Sequence, residues 1–152
     1  MPQLSTTRRV RHNAAEMFDL VADVESYPEF VPLCRALSIR SRGKAGDKEV
    51  IVANMTVAYK LIHETFTSRV TLDRGNLEIQ VEYLEGPFRR LNNTWTFRPL
   101  EARECYVDFF IAYEFRSRTL GMLMGAMFDA AFRRFATAFE RRADEVYGTR
   151  AA

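Results

Sequence analysis

Two histidines, His12 and His63, two cysteines, Cys34 and Cys105, and a spread of carboxylates are the side chains that could carry acid–base or nucleophilic chemistry. Such chemistry needs titratable groups converging in one cleft. The spacing offers no convergence. His12 ends an N-terminal strand and His63 falls on the outward parity of another strand beside Glu64, so both read as solvated. The cysteines have no CxxC pairing and no partner histidine at an interpretable spacing; this removes a zinc cage and marks both as reduced thiols in a core. No serine sits in a nucleophile-elbow context, and HxxxH, DxD and glycine-rich phosphate loops are absent. Binding is expected rather than catalysis, with no metal and no cofactor.

The aromatic content is more informative. Twelve Phe, six Tyr, six Met and one Trp are bulky, polarizable side chains of the kind that line apolar ligand sites. On strands, Met55, Tyr59, Phe66, Tyr83, Trp95, Phe109 and Tyr113 take the inward parity; on the last helix Met124, Met127 and Phe128 do so. These ten either pack as an ordinary core or line an apolar ligand site. Glu64 shares parity with Phe66 and Val70, and Asn93 shares parity with Leu91 and Trp95. A buried polar group left unpaired costs about 1–3 kcal/mol. Two explanations therefore stand: hydrogen bonding at strand ends, or contact of Glu64, Asn93 or Tyr113 with a ligand carbonyl or hydroxyl.

GPFRR at 86–90 joins two inward-facing strands and places Phe88 at a loop tip flanked by Arg89 and Arg90. An exposed aromatic can enter a headgroup boundary while each arginine attracts anionic lipid by about 1 kcal/mol. The segment is expected to gate the mouth of such a site and touch a membrane surface; the other placement folds Phe88 back over the core.

The elements that must position these residues follow from hydrophobic period. Residues 13–24 open with an Asn cap and carry Ala14, Met17, Phe18 and Val21 at helical spacing, and Pro28 and Pro32 then break the chain after a further turn. Strict alternation follows: Leu77, Ile79, Val81 and Tyr83 against Glu78, Gln80 and Glu82, then Val107, Phe109, Ile111, Tyr113 and Phe115 against Asp108 and Glu114. From about Ser117 to Tyr147 the period changes, with Leu120, Met124, Met127, Ala131 and Phe135 stepping by three and four and Phe128, Phe132 and Phe139 in a neighbouring stripe. The order predicts an α+β domain: a curved antiparallel sheet of about six to seven strands around a long C-terminal helix, with short helices after the first strand.

YPEFVPLC at 27–34, ETFTSRVTL at 64–72 and GPFRRLNNTWTFRPL at 86–100, in that order, resemble the coenzyme Q-binding START-domain family of the helix-grip, polyketide cyclase/dehydrase superfamily. The resemblance spans essentially the whole chain and implies one START-like lipid-binding domain over residues 1–152, with ubiquinone or a related isoprenoid in a hydrophobic tunnel between sheet and helix, lined by the ten inward aromatic and methionine residues named above. It also implies a quinone carrier or chaperone supporting respiration. The bacterial branch resembles a ribosome-association toxin that binds the large ribosomal subunit and blocks subunit joining, which gives the alternative reading; an aromatic cyclase-like enzyme is a third.

Charge and composition agree with a binding domain. The chain has 152 residues, 22 Lys plus Arg against 20 Asp plus Glu, and a net charge of +2, which marks no DNA binder. Arg133, Arg134, Arg141 and Arg142 could contact ribosomal phosphates, but Asp129 with Arg133 and Arg141 with Glu145 are i,i+4 pairs of a solvated helix face. The N-terminal residues carry no apolar signal core and no run of 18 uncharged apolar residues occurs, so a cytoplasmic protein, peripheral at most to the inner membrane, is expected.

Overall fold

The alternation in CYVDFFIAYEF builds one face of the last strand: Val107, Phe109, Ile111 and Tyr113 are buried, while Asp108 on the other parity pairs with Arg98 at 2.6 Å. A computed structural model describes residues 3–59, 61–101 and 103–148. Its elements are β1 (Gln3–Val10), α1 (Ala14–Ala22), a 3-10 turn (Val24–Glu29), β2 (Cys34–Ala45), β3 (Lys48–Tyr59), β4 (Ile62–Asp73), β5 (Glu78–Glu85), β6 (Phe88–Pro99), β7 (Cys105–Phe115) and α2 (Arg118–Tyr147).

The seven strands form one sheet in the order β1-β7-β6-β5-β4-β3-β2, antiparallel at each junction. Only β1 is out of sequence, pairing with β7 after the chain has passed through α1 to the opposite edge. Register shifts at Cys34/Ala36, Ile39/Ser41, Thr67/Ser68 and Phe88/Arg90 add residues to one strand of a pair, which bends the sheet. α2 lies on the resulting concave face and buries Met124, Phe128, Ala131, Phe132 and Phe139 against it.

α1 begins where the sequence puts it. The Asn13 side chain accepts from the Glu16 N–H at 2.8 Å, and the Glu16 carboxylate accepts from the Asn13 N–H at 3.3 Å, closing a capping box. The last turn of α2 covers this start, with the Tyr147 hydroxyl donating to the Glu16 carbonyl at 3.1 Å. His12 is therefore not solvated: it is 1% exposed, in the link between β1 and α1, with Nε2 2.7 Å from Asp144 Oδ1. His63 is exposed on β4, opposite Ala58. Cys34 and Cys105 are free buried thiols, and burial pushes them up to about 11 and about 12.

Candidate ligand-binding cavity

Between the concave face and α2 the core leaves a cavity of about 90 Å³. Protein interiors pack to the density of organic crystals, so an apolar void of this size is an exception in a domain this small. Its floor is inward residues of six strands, with Leu37 from β2, Met55 from β3, Phe66, Ser68 and Val70 from β4, Val81 from β5, Asn93 and Trp95 from β6 and Ile111 from β7. Its roof is the stripe Phe128, Ala131, Phe132, Phe135 and Phe139 of α2, at spacings of three and four. Tyr27, Pro32 and Leu33, from the segment after α1, close one end.

That closing segment is held in an uncommon backbone shape. Leu33 has φ 67°, in the left-handed region, and its carbonyl accepts from the Ala58 N–H at 3.1 Å. A non-glycine residue there costs on the order of 1–2 kcal/mol, which the strand contact must offset. Tyr27 donates its hydroxyl to the Val21 carbonyl and packs edge-on to Phe139 at 5.3 Å between ring centres. Burial, more than the neighbouring Cys34 and Asp23, raises the pKa of that hydroxyl.

The expected tunnel residues divide into three groups. Met55, Phe66, Trp95 and Phe128 line the cavity. Tyr83, Phe109, Tyr113 and Met124 face inward without lining it; Phe109 supports Trp95 with ring centres 4.7 Å apart, and Tyr83 and Tyr113 pack on Phe88. Tyr59, 44% exposed, and Met127 instead line an adjoining surface hollow with Ala126, Ala130 and Arg134, which shares Pro32, Leu33 and Ala131 with the cavity. Asn93 lines the cavity, but its amide is spent: Nδ2 donates to the Phe110 carbonyl at 2.8 Å and Oδ1 accepts from Trp95 Nε1 at 3.1 Å. Glu64 is half-buried and lies outside the cavity lining. Ser68 and the roof residues Phe132, Phe135 and Phe139 were not among the expected lining; the helical stripe was the signal for the last three.

Phe88 corrects the expected gate. It is 1% exposed and is the first residue of β6, not a loop tip. Gly86 adopts φ 143°, and a Cβ there would lie 2.6 Å from Phe66 Cβ, so the turn folds flat onto β4 in a way only glycine permits. The Tyr83 hydroxyl accepts from the Phe88 N–H at 3.1 Å, and the ring enters a cluster of Phe66, Tyr83, Tyr113, Phe115 and Phe128. A register shift at Phe88/Arg90 makes Arg89 the extra residue, and Arg89 and Arg90 both point outward to Glu114, at 3.7 and 3.8 Å. Those arginines have no exposed aromatic between them.

A seven-stranded antiparallel sheet gripping a C-terminal helix is the START-like arrangement, and the chain belongs to the polyketide cyclase / dehydrase and lipid transport family, whose profile matches residues 10–140. The resemblance read from the three motifs is thereby established. Over 150 residues the chain is 35% identical to the ribosome association toxin RatA of Escherichia coli (strain K12), covering 99% of this chain and 92% of that protein. It is 29% identical to the coenzyme Q-binding protein COQ10 homolog B, mitochondrial, of Xenopus laevis, covering 96% of this chain and 59% of that protein. The solution structure of the 18 kDa protein CC1736 from Caulobacter crescentus superposes with a TM-score of 0.77 at 32% identity, covering 98% of this chain and 100% of that one.

Proposed function

We propose that the protein binds an apolar ligand, an isoprenoid quinone or a lipid of similar cross-section, in the cavity beneath α2 and carries it without transforming it. One observation carries the reading: an apolar cavity in the middle of a core that is otherwise closely packed with aromatic rings. Water gains little in such a space, since it needs two to four polar partners, whereas an apolar molecule gains about 25 cal/mol for each Å² it removes from water. The name of the coenzyme Q-binding relative supports a quinone as the occupant. No three His, Cys, Asp or Glu side chains gather to hold a metal among the described residues, and the cavity lining includes no acid–base pair.

A second reading, association with the ribosome, is favoured by the 35% identity to the toxin over almost the whole chain. The two readings separate in one pair of measurements. Protein mixed with vesicles containing ubiquinone-10 and recovered free of vesicles by flotation should retain quinone. The same protein should sediment apart from ribosomes in a sucrose gradient at low salt. Recovery without quinone, together with salt-sensitive migration with ribosomes, would replace the carrier reading by the second.

A further inference from the structure

The lining of the cavity includes four side chains able to hydrogen-bond strongly, those of Tyr27, Ser68, Asn93 and Trp95. Three are committed within the protein: Tyr27 to the Val21 carbonyl, Trp95 to Asn93, and Asn93 to both Trp95 and the Phe110 carbonyl. Ser68 alone is not. Its residue is 7% exposed, and its Oγ is buried without a partner. It sits mid-sheet, paired with Ala53 on one side and Tyr83 on the other, on the face that carries Phe66 and Val70 into the cavity. A buried hydroxyl left unpaired is an expense a folded protein seldom carries without use.

The lining is also free of charge: among the described residues no Lys, Arg, Asp, Glu or His contributes to it. An ionised carboxylate or phosphate placed there would lose its hydration with no counter-ion in return. We infer that Ser68 Oγ anchors a neutral carbonyl or hydroxyl oxygen at the buried end of the ligand, and that the cavity rejects ionised head groups. This rests on the carrier reading and sharpens it. A serine hydroxyl donates to a carbonyl and accepts from a hydroxyl, so the site takes quinone and quinol alike.

Trp95, the chain's single tryptophan, lines the same cavity and supplies the readout. Full-length protein is titrated with ubiquinone-1, which quenches indole fluorescence on contact, and bound ubiquinone-1 is then competed with decan-1-ol or with decanoate at pH 8. Ser68→Ala should bind ubiquinone-1 about tenfold more weakly at an unchanged or higher melting temperature, and Ser68→Thr, which keeps the hydroxyl, should recover most of the affinity. Decan-1-ol should displace the quinone and decanoate should not. Wild-type quenching with Ser68→Ala affinity within twofold removes Ser68 as the anchor and leaves the carrier reading standing. Equal competition by decanoate overturns the rejection of charge. No quenching of the wild-type protein overturns both the anchor and the reading on which it rests.

Discussion

Truncating Phe88 to alanine tests whether the 86–90 turn is a structural plug or a movable gate. The ring is 1% exposed and meets five other rings, the nearest being Phe115, stacked at 4.9 Å, and Phe128, edge-on at 5.4 Å. Buried Phe→Ala changes cost about 3–5 kcal/mol, as lost transfer energy plus the cavity left behind. The upper half of that range applies here, because Gly86 pins the turn against Phe66 and the Tyr83 hydroxyl holds the Phe88 N–H, so the site cannot collapse. With a urea slope near 2 kcal/mol/M, a loss of about 4 kcal/mol moves the unfolding midpoint down by about 2 M. In a chain of this length it lowers Tm by about 10 °C. Phe88→Leu, which refills part of the space, should recover more than half. The assay is urea unfolding followed by far-UV circular dichroism, with the slope required to stay constant. A Phe88→Ala change within about 0.5 kcal/mol, the range of an ordinary surface site, would refute the plug and restore the gate.

Gly86→Ala should destabilise by well over 1 kcal/mol, since φ 143° and a Cβ 2.6 Å from Phe66 forbid a side chain; thermal unfolding checks it, and an unchanged Tm would contradict the turn geometry. Asn93→Ala leaves the Trp95 N–H unpaired and should cost about 2–3 kcal/mol while shifting tryptophan emission, both read in one fluorescence-detected urea titration. The two thiols set a pH dependence. Their folded values of about 11 and about 12 lie above the usual 9.0, so above pH 9 the unfolded chain sheds protons that the fold retains, and stability present below pH 9 falls as pH rises through 11. Urea midpoints at pH 8 and pH 10.5 should show that fall, a Cys34→Ala/Cys105→Ala double variant should show less of it, and alkylation of the folded protein at pH 8 should be slow.

The sheet was legible because period two is written residue by residue: in 107–111 Val107, Phe109 and Ile111 are buried, while Asp108 and Phe110 on the other parity reach the surface. The helix was legible for the same reason at period 3.6, down to the stripe Phe128, Phe132 and Phe139. Parity says which way a side chain points, however, and not whether its neighbours fill the space in front of it. Trp95 and Phe109 share a face, yet only Trp95 borders the cavity. Turns were less legible still, because one extra residue, Arg89, reverses the parity of what precedes it and carries Phe88 inward. The burial of His12 depends on where a helix ending more than 130 residues later comes to rest, which no local pattern encodes. Ser68 could have been read, since it shares parity with Phe66 and Val70, but the charged Glu64 on the same parity was the stronger signal and lies outside the cavity.

The central claim, an apolar ligand beneath α2, is tested most directly by purifying the protein without detergent, extracting it with organic solvent and identifying the extract by mass spectrometry. A cavity lined by Met55, Phe66, Trp95 and the α2 phenylalanines predicts a neutral quinone or isoprenoid approaching one molecule per chain, reduced severalfold in a Phe132→Ser variant that makes the roof polar. An extract no different from that of an unrelated protein purified in the same way would contradict it.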